Sequence, residues 1–317
     1  MSFAAILLAL LLEQARPLAP GNGVHLGMRA WVRAAVKYFD AGDRHHAWLT
    51  WGFAVALPCG ISFLIYWGLT SQFGLLAGTL WNVAVLYATL GFRQFSHHFT
   101  AIRDALEAGD EPQARTLLAR WKQIDVASLP RSEIIRHVIE HSIIAAHRHV
   151  FGVLGWFSVL AMLGLGPLGA VLYRLTEFVP RYWDNQHKRH LTPISGNLLA
   201  FSDKAWYCID WVPARMTAVG FAVVGSFEEA IDAWRGYLQR EGDASLNDGV
   251  IIAASSGAVN VRLGGEPAQS EEAAASATAP RQEPAQGHLR SIVGLVWRSV
   301  VLWMILLALL TLARLLG

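Results

Sequence analysis

Asp210-Trp211-Val212-Pro213-Ala214-Arg215-Met216-Thr217-Ala218-Val219-Gly220-Phe221-Ala222-Val223-Val224-Gly225 sets a carboxylate, a proline and a guanidinium at the mouth of an apolar run. Proline is tolerated in the first helical turn, where its missing N–H removes no bond, so Pro213 reads as a helix initiator. Charge at the edge of hydrocarbon is costly. It marks either an interfacial anchor, with Trp211 at headgroup level and Arg215 snorkelling to phosphate, or a polar site. Either way the run belongs at a membrane, and the rest of the chain is read outward from that.

The 317 residues are 54% hydrophobic and only 16% charged, which does not suit a soluble globule. The reading is an all-α fold, a polytopic helical membrane protein with re-entrant or broken helices and a helical cytoplasmic segment. A formal net charge of +2 advertises no polyanion, so nucleic acid is not expected as a partner, and the 13 tryptophans fit aromatic belts at two interfaces. Cys59 and Cys208 each sit in an apolar segment and read as buried small residues, with neither disulfide nor zinc spacing.

Before the quoted run, Ser2 to Leu12 is apolar but too short to cross a core that needs about 20 residues. Val24 to Phe39 carries Arg29, Arg33 and Lys37 at four-residue steps, the pattern of a helix lying on a membrane surface. Ala47 to Leu69 and Phe73 to Phe92 read as a spanning hairpin joined by Thr70-Ser71-Gln72. Its basic flanks point to the cytoplasm by the positive-inside rule. A helical, polar cytoplasmic insertion follows over about 93–149, with a helix starting near Pro130 that places Arg136, Glu140 and His147 roughly on one face. Phe151 to Val179 is apolar but broken at Gly164-Leu165-Gly166-Pro167, as one interrupted span or a re-entrant pair. Leu191 to Ala205 reads as a loop or short helix. Beyond the quoted run, Asn247-Asp248-Gly249 opens an apolar segment, residues 266–288 have the composition of a disordered linker, and 289–317 holds a last transmembrane helix. Residues 1–265 thus form one membrane domain.

Polar groups at the apolar segments make the candidate site: Glu13, His25, Arg136, Glu140, His147, Arg148, Tyr173, Arg174, Asp210, Arg215, Asn247 and Asp248. Each alone has a plain structural role open to it, an ion pair or a snorkelling anchor. Together, Arg148, Arg174 and Arg215 could form an anion site, because guanidinium forks match phosphate and carboxylate oxygens. Asn247-Asp248-Gly249 reads either as backbone N–H groups aimed at an anion or as an ordinary helix cap with a turn glycine. Adjacent histidines such as His45-His46 and His97-His98 point different ways on a helix, so no metal site is expected from the protein's own residues. There is no Walker A loop and no Gly-x-Ser-x-Gly elbow.

Four stretches carry a family resemblance. They are Glu140 with Trp156 downstream; Gly166-Pro167-Leu168-Gly169-Ala170-Val171-Leu172-Tyr173-Arg174; Trp211-Val212-Pro213-Ala214-Arg215-Met216-Thr217-Ala218; and Asn247-Asp248-Gly249 running on to Gly257-Ala258-Val259 and Val261-Arg262-Leu263-Gly264-Gly265. By these the chain resembles the CobD/CbiB family of cobalamin-biosynthesis membrane proteins over most of Met1 to Glu266, and it also resembles AmpE. The resemblance implies a multi-pass protein of a bacterial-type inner membrane. It also implies an ATP-dependent ligation, with magnesium, of aminopropanol or its phosphate to adenosylcobyric acid, giving adenosylcobinamide or its phosphate. The implied partners are a corrinoid and a phosphorylated amino alcohol. Glu140, Arg174 and Arg215 would be catalytic, with Arg148, Tyr173, Asp210, Asn247 and Gly249 binding substrate. The chain departs from the enzyme pattern at Ile144, Ala145, Arg148 and His149, at Glu177 to Pro180, and at Trp206 and Tyr207, where family carboxylates are missing. The alternative reading is an AmpE-like sensor or regulator that binds an anionic ligand without ligation.

Overall fold

The structure, a computed structural model, describes residues 2–18, 21–122, 126, 129–242, 246–264 and 281–316. Among these residues the fold is all-α, with a single isolated bridge, Val261 to Gln282, as its only extended pairing. The helices are α1 (Ser2–Ala15), α2 (Gly23–Phe39), α3 (Arg44–Phe73), α4 (Leu75–Thr89), α5 (Phe92–Glu107), α6 (Glu111–Lys122), α7 (Arg131–Ala146), α8 (Gly152–Met162), α9 (Leu168–Lys188), α10 (Gly196–Val224), α11 (Phe227–Glu241), α12 (Asn247–Ala258) and α13 (Gln286–Leu316). A π-helical turn, His147–Phe151, joins α7 to α8. Two compact units result. Unit one holds residues 1–92, 148–213 and 307–317, and unit two holds 93–147 and 214–306.

Three helical stretches are long and apolar enough to cross a membrane: Arg44–Phe73, Arg131–Met162 and Gln286–Ala313. The second overlaps the segment expected to be polar and helical: α7 runs on through the π turn into α8 as one helical stretch of 32 residues, with Arg136 and Glu140 of its first half bonded to each other. The expected hairpin changes. Its first arm continues to Phe73 before turning at Gly74, and its second arm, α4, is 15 residues, about 22 Å at the ~1.5 Å rise of a helix. Of the expected linker, 266–280 lies outside the described residues, while Arg262 N–H donates to Gln282 O and α13 begins at Gln286.

In unit one, α2 packs on α3 and α9 around Val32, Val36, Val55, Val179 and Trp183, all buried, so the apolar face between the basic steps of α2 is covered. The break between α8 and α9 falls where the sequence put it, with Gly164 and Gly166 both at positive φ. Pro213, however, does not start a helix. It lies inside α10, which begins at Gly196 and absorbs the loop expected up to Ala205. An interior proline frees the carbonyl four residues earlier, here that of Ile209. Trp156 Nε1 donates to that oxygen at 2.9 Å. The same repair recurs in α3, where Pro58 frees Ala54 O and Trp31 Nε1 donates to it at 3.2 Å. Two prolines that would break isolated helices are thus accommodated by indoles from other helices. Cys59 is buried as expected, whereas Cys208 is exposed, on a turn of α10 that also shows Tyr207 and Trp211 outward.

In unit two, α11 and α12 approach closely. A Cβ on Gly257 would lie 2.1 Å from the Glu229 carbonyl oxygen, so only glycine fits that crossing. Val250 and Ala254 of α12 meet Ala218 of α10, with Trp234 and Tyr237 of α11 over them.

Candidate functional site

The predicted residues fall into two clusters, one in each unit. Unit one contains Arg148, Tyr173, Arg174 and Asp210; unit two contains Glu140, Arg215, Asn247 and Gly249.

The unit-one cluster is built on α9, α10 and the end of the π turn. A π turn carries one more residue per turn than an α-helix, so side chains that would follow the α7 stripe are redirected. Arg148 lies with its guanidinium carbon 5.7 Å from the Trp206 ring centroid, and Trp206 is 5.4 Å from the ring of Tyr173. Tyr173 is fully buried and donates its hydroxyl to Asp210 Oδ1 at 2.8 Å. Asp210, read from sequence as a charge at an interface, is fully buried. One position along, Arg174 Nη1 lies 3.0 Å from His149 Nδ1. A guanidinium only donates, so His149 accepts and is the neutral tautomer with its proton on Nε2. Arg174 also donates to Glu177 Oε2 at 3.2 Å, and Arg181 reaches the other oxygen of the same buried carboxylate. Arg148 and Arg174 therefore turn to different partners, Arg148 to Trp206 and Arg174 to His149 and Glu177.

A cavity of about 470 Å³ lies wholly within this unit, between α2, α3, α4 and α9, and Arg174 is on its wall. His25, named from sequence only as one polar group among many, is on the opposite helix. Burial, then the Arg174 field, then that of Arg29, push His25 below the ordinary histidine range.

In unit two, Glu140 Oε1 accepts from Arg136 Nη1 at 2.9 Å and from the Gly264 backbone N–H at 2.9 Å. The Gly264 contact joins two of the four quoted stretches, which nothing in their spacing announces. Arg136 in turn forks onto Glu133 at 3.0 Å through Nε, so the pair expected from the four-residue step is one side of a larger network. Lys122 Nζ lies 2.9 Å from His137 Nδ1 at its edge, and burial pushes the Lys122 ammonium down. Neither Lys122 nor His149 was picked out from sequence. A lone basic residue at a helix end and a histidine beside an arginine carry no signal until their partners are known.

Arg215 donates to the side-chain oxygen of Asn247. The cap of α12 is Leu246, with no side-chain cap bond, so Asn247 spends its amide on the guanidinium rather than on the helix end. Gly249 has a packing reason. A Cβ there would lie 2.0 Å from the Tyr237 hydroxyl, which takes the Leu246 N–H at 2.9 Å and so fastens the start of α12 to α11.

Among the described residues no group of three His, Cys, Asp or Glu could hold a metal ion. The carboxylates nearest the candidate residues already face donors: Glu140 faces Arg136, Glu177 faces Arg174, and Asp210 faces Tyr173. That donor set does not fit a magnesium ion held by the protein, which wants free carboxylate oxygens in near-octahedral array.

The family model described as CobD/Cbib protein matches residues 3–296, so it extends past the region that carried the resemblance, through the segment after Gly264 and into α13. The cobalamin biosynthesis protein CobD of Stutzerimonas stutzeri is 30% identical over 273 residues, 84% of this chain and 82% of its own. The protein of the same name from Chromobacterium violaceum is 32% identical over 183 residues, 58% of this chain and 55% of its own. That from Pelobacter propionicus is 26% identical over 265 residues, 82% and 78%. No solved structure matches. The AmpE-like alternative gains no support from these relatives. With the quoted stretches meeting in hydrogen-bonded pairs and the match running nearly end to end, the chain belongs to the CobD/CbiB family of cobalamin biosynthesis.

Proposed function

We propose that this chain is an amide ligase of the inner membrane that joins aminopropanol, or its phosphate, to the free carboxyl of adenosylcobyric acid at the expense of ATP. The observation that carries the reading is the family match over residues 3–296, together with a relative named for cobalamin biosynthesis across most of both chains. The chemistry asks for a carboxyl-phosphate intermediate. The substrate carboxylate takes the terminal phosphoryl group of ATP and ADP leaves; the amine then attacks the acyl carbon and inorganic phosphate departs with the proton balance closed by a base. Negative charge grows on phosphoryl oxygens in both steps, and fixed guanidinium donors stabilise it. Arg215, oriented by Asn247, is the cation of this reading. Glu140, kept as an acceptor by Arg136 and Gly264, is the carboxylate that would receive the ammonium of the amino alcohol. ATP is supplied in the test as its magnesium complex.

The test is direct. Protein purified in detergent is given MgATP, adenosylcobyric acid and aminopropanol phosphate, and the amide and ADP are measured by mass spectrometry. Amide formation is expected, with loss of product in Arg215→Ala at unchanged melting temperature. Absence of product beside an active control ligase overturns the proposal.

A further inference from the structure

The cavity of unit one carries chemistry that the ligase reading does not use. Its wall is apolar over most of its area, yet it includes the Arg174 guanidinium and the hydroxyl-bearing Ser62. Arg174 donates to Glu177, whose other oxygen meets Arg181. Ser62 is 6% exposed, and its Oγ finds no hydrogen-bond partner among the described residues. Leaving a buried hydroxyl without a partner is costly, so the unfilled demand here points to a ligand atom. His25 lines the same cavity.

The rim says where the ligand comes from. Ile61 and Ile65 line the cavity and are also exposed, and Ile61 continues the outward stripe of Leu57 and Leu64 on α3. α3 is one of the three membrane-capable helices, so that stripe is a lipid-facing surface and the opening gives onto hydrocarbon rather than water.

We propose that the cavity is a binding site for an anionic phospholipid drawn sideways from the bilayer, its phosphate on Arg174, an ester oxygen within reach of Ser62, and one acyl chain along Trp31, Ile61 and Ile65. A cavity near 470 Å³ is of the size that holds a ligand by an apolar wall and a few placed polar groups. The proposal is independent of the ligation reaction.

The experiment uses the full chain moved into vesicles of equal phosphatidylglycerol and phosphatidylcholine, then released for native mass spectrometry. One phosphatidylglycerol per chain should be retained, preferred over phosphatidylcholine by about tenfold or more, a difference of ~1.4 kcal/mol. Gly27→Leu is the blocking variant: Gly27 lines the cavity and a Cβ there meets nothing within 4 Å, so the side chain enters open space without a clash. It should cut retention about tenfold at an unchanged melting temperature, since leucine also suits a helix better than glycine. Ser62→Val, which removes the hydroxyl at similar volume, should lower it about threefold. Equal retention of the two lipids, retention untouched by both variants, competition by glycerol phosphate as effective as by the lipid, or no retained lipid would each overturn the proposal.

Discussion

Arg174 in unit one and Arg215 in unit two are held in different ways. Unit one leaves room and fills it with charge and indoles: Glu177 between two guanidiniums, Trp31 and Trp156 on carbonyls freed by proline, and a cavity beside Arg174. Unit two leaves little room. Gly257 meets the Glu229 carbonyl, Gly249 meets Tyr237, and the Arg215 guanidinium is held by a neutral amide. The lesson is that a similar demand, fixing an arginine in an apolar setting, is met by compensating charge in one place and by close fit in the other. Substitutions should therefore fail for different reasons in the two units.

The contrast is tested hardest at Glu177. With this carboxylate fully buried, Glu177→Gln removes the charge that faces the buried Arg174 and is expected to cost about 3 kcal/mol, read as a large drop in melting temperature in detergent. A drop of only a degree or so would mean that unit one does not rest on that charge. In unit two the expected sensitivity is steric. Gly249→Ala forces the Tyr237 ring off the start of α12, at about 1–3 kcal/mol, while Gly236→Ala on α11, where a Cβ meets nothing within 4 Å, should melt no lower than the parent.

The proline repair gives a finer test. Trp156→Phe leaves the Ile209 carbonyl without its donor, an expected cost of about 1–2 kcal/mol. In a Pro213→Ala background the backbone N–H returns to that carbonyl, so most of the cost should vanish in a double-mutant cycle. Additive effects would show that the indole and the proline are unrelated.

The smallest effect is at His25. Its folded value lies below the ordinary 6.5, so the neutral form is favoured by folding. Its contribution is present above the unfolded value and is lost as pH falls through the lowered folded value. Melting curves from neutral to acid pH should show a loss below about 6.5 that His25→Gln flattens. Stability that instead improved on acidification, through His25, would reverse the sign of the argument.

The sequence by itself determined the helical membrane class, the helix α2, the break at Gly164 to Pro167 and the family, because hydropathy, period and proline-glycine punctuation act over a few neighbouring residues. It also led to the Arg136–Glu140 pair, since four residues is one helical turn. Local rules misplace Pro213, because whether a helix runs through a proline depends on a donor 57 residues earlier in the chain, at Trp156. They miss the π turn, which inserts a residue without changing composition, and with it the turning of Arg148 to Trp206 and His149 to Arg174. Tertiary structure alone decided which oxygen each arginine meets. Hydrogen bonds fix partners within about 3 Å, and sequence spacing says nothing at that range once the partners lie on different helices.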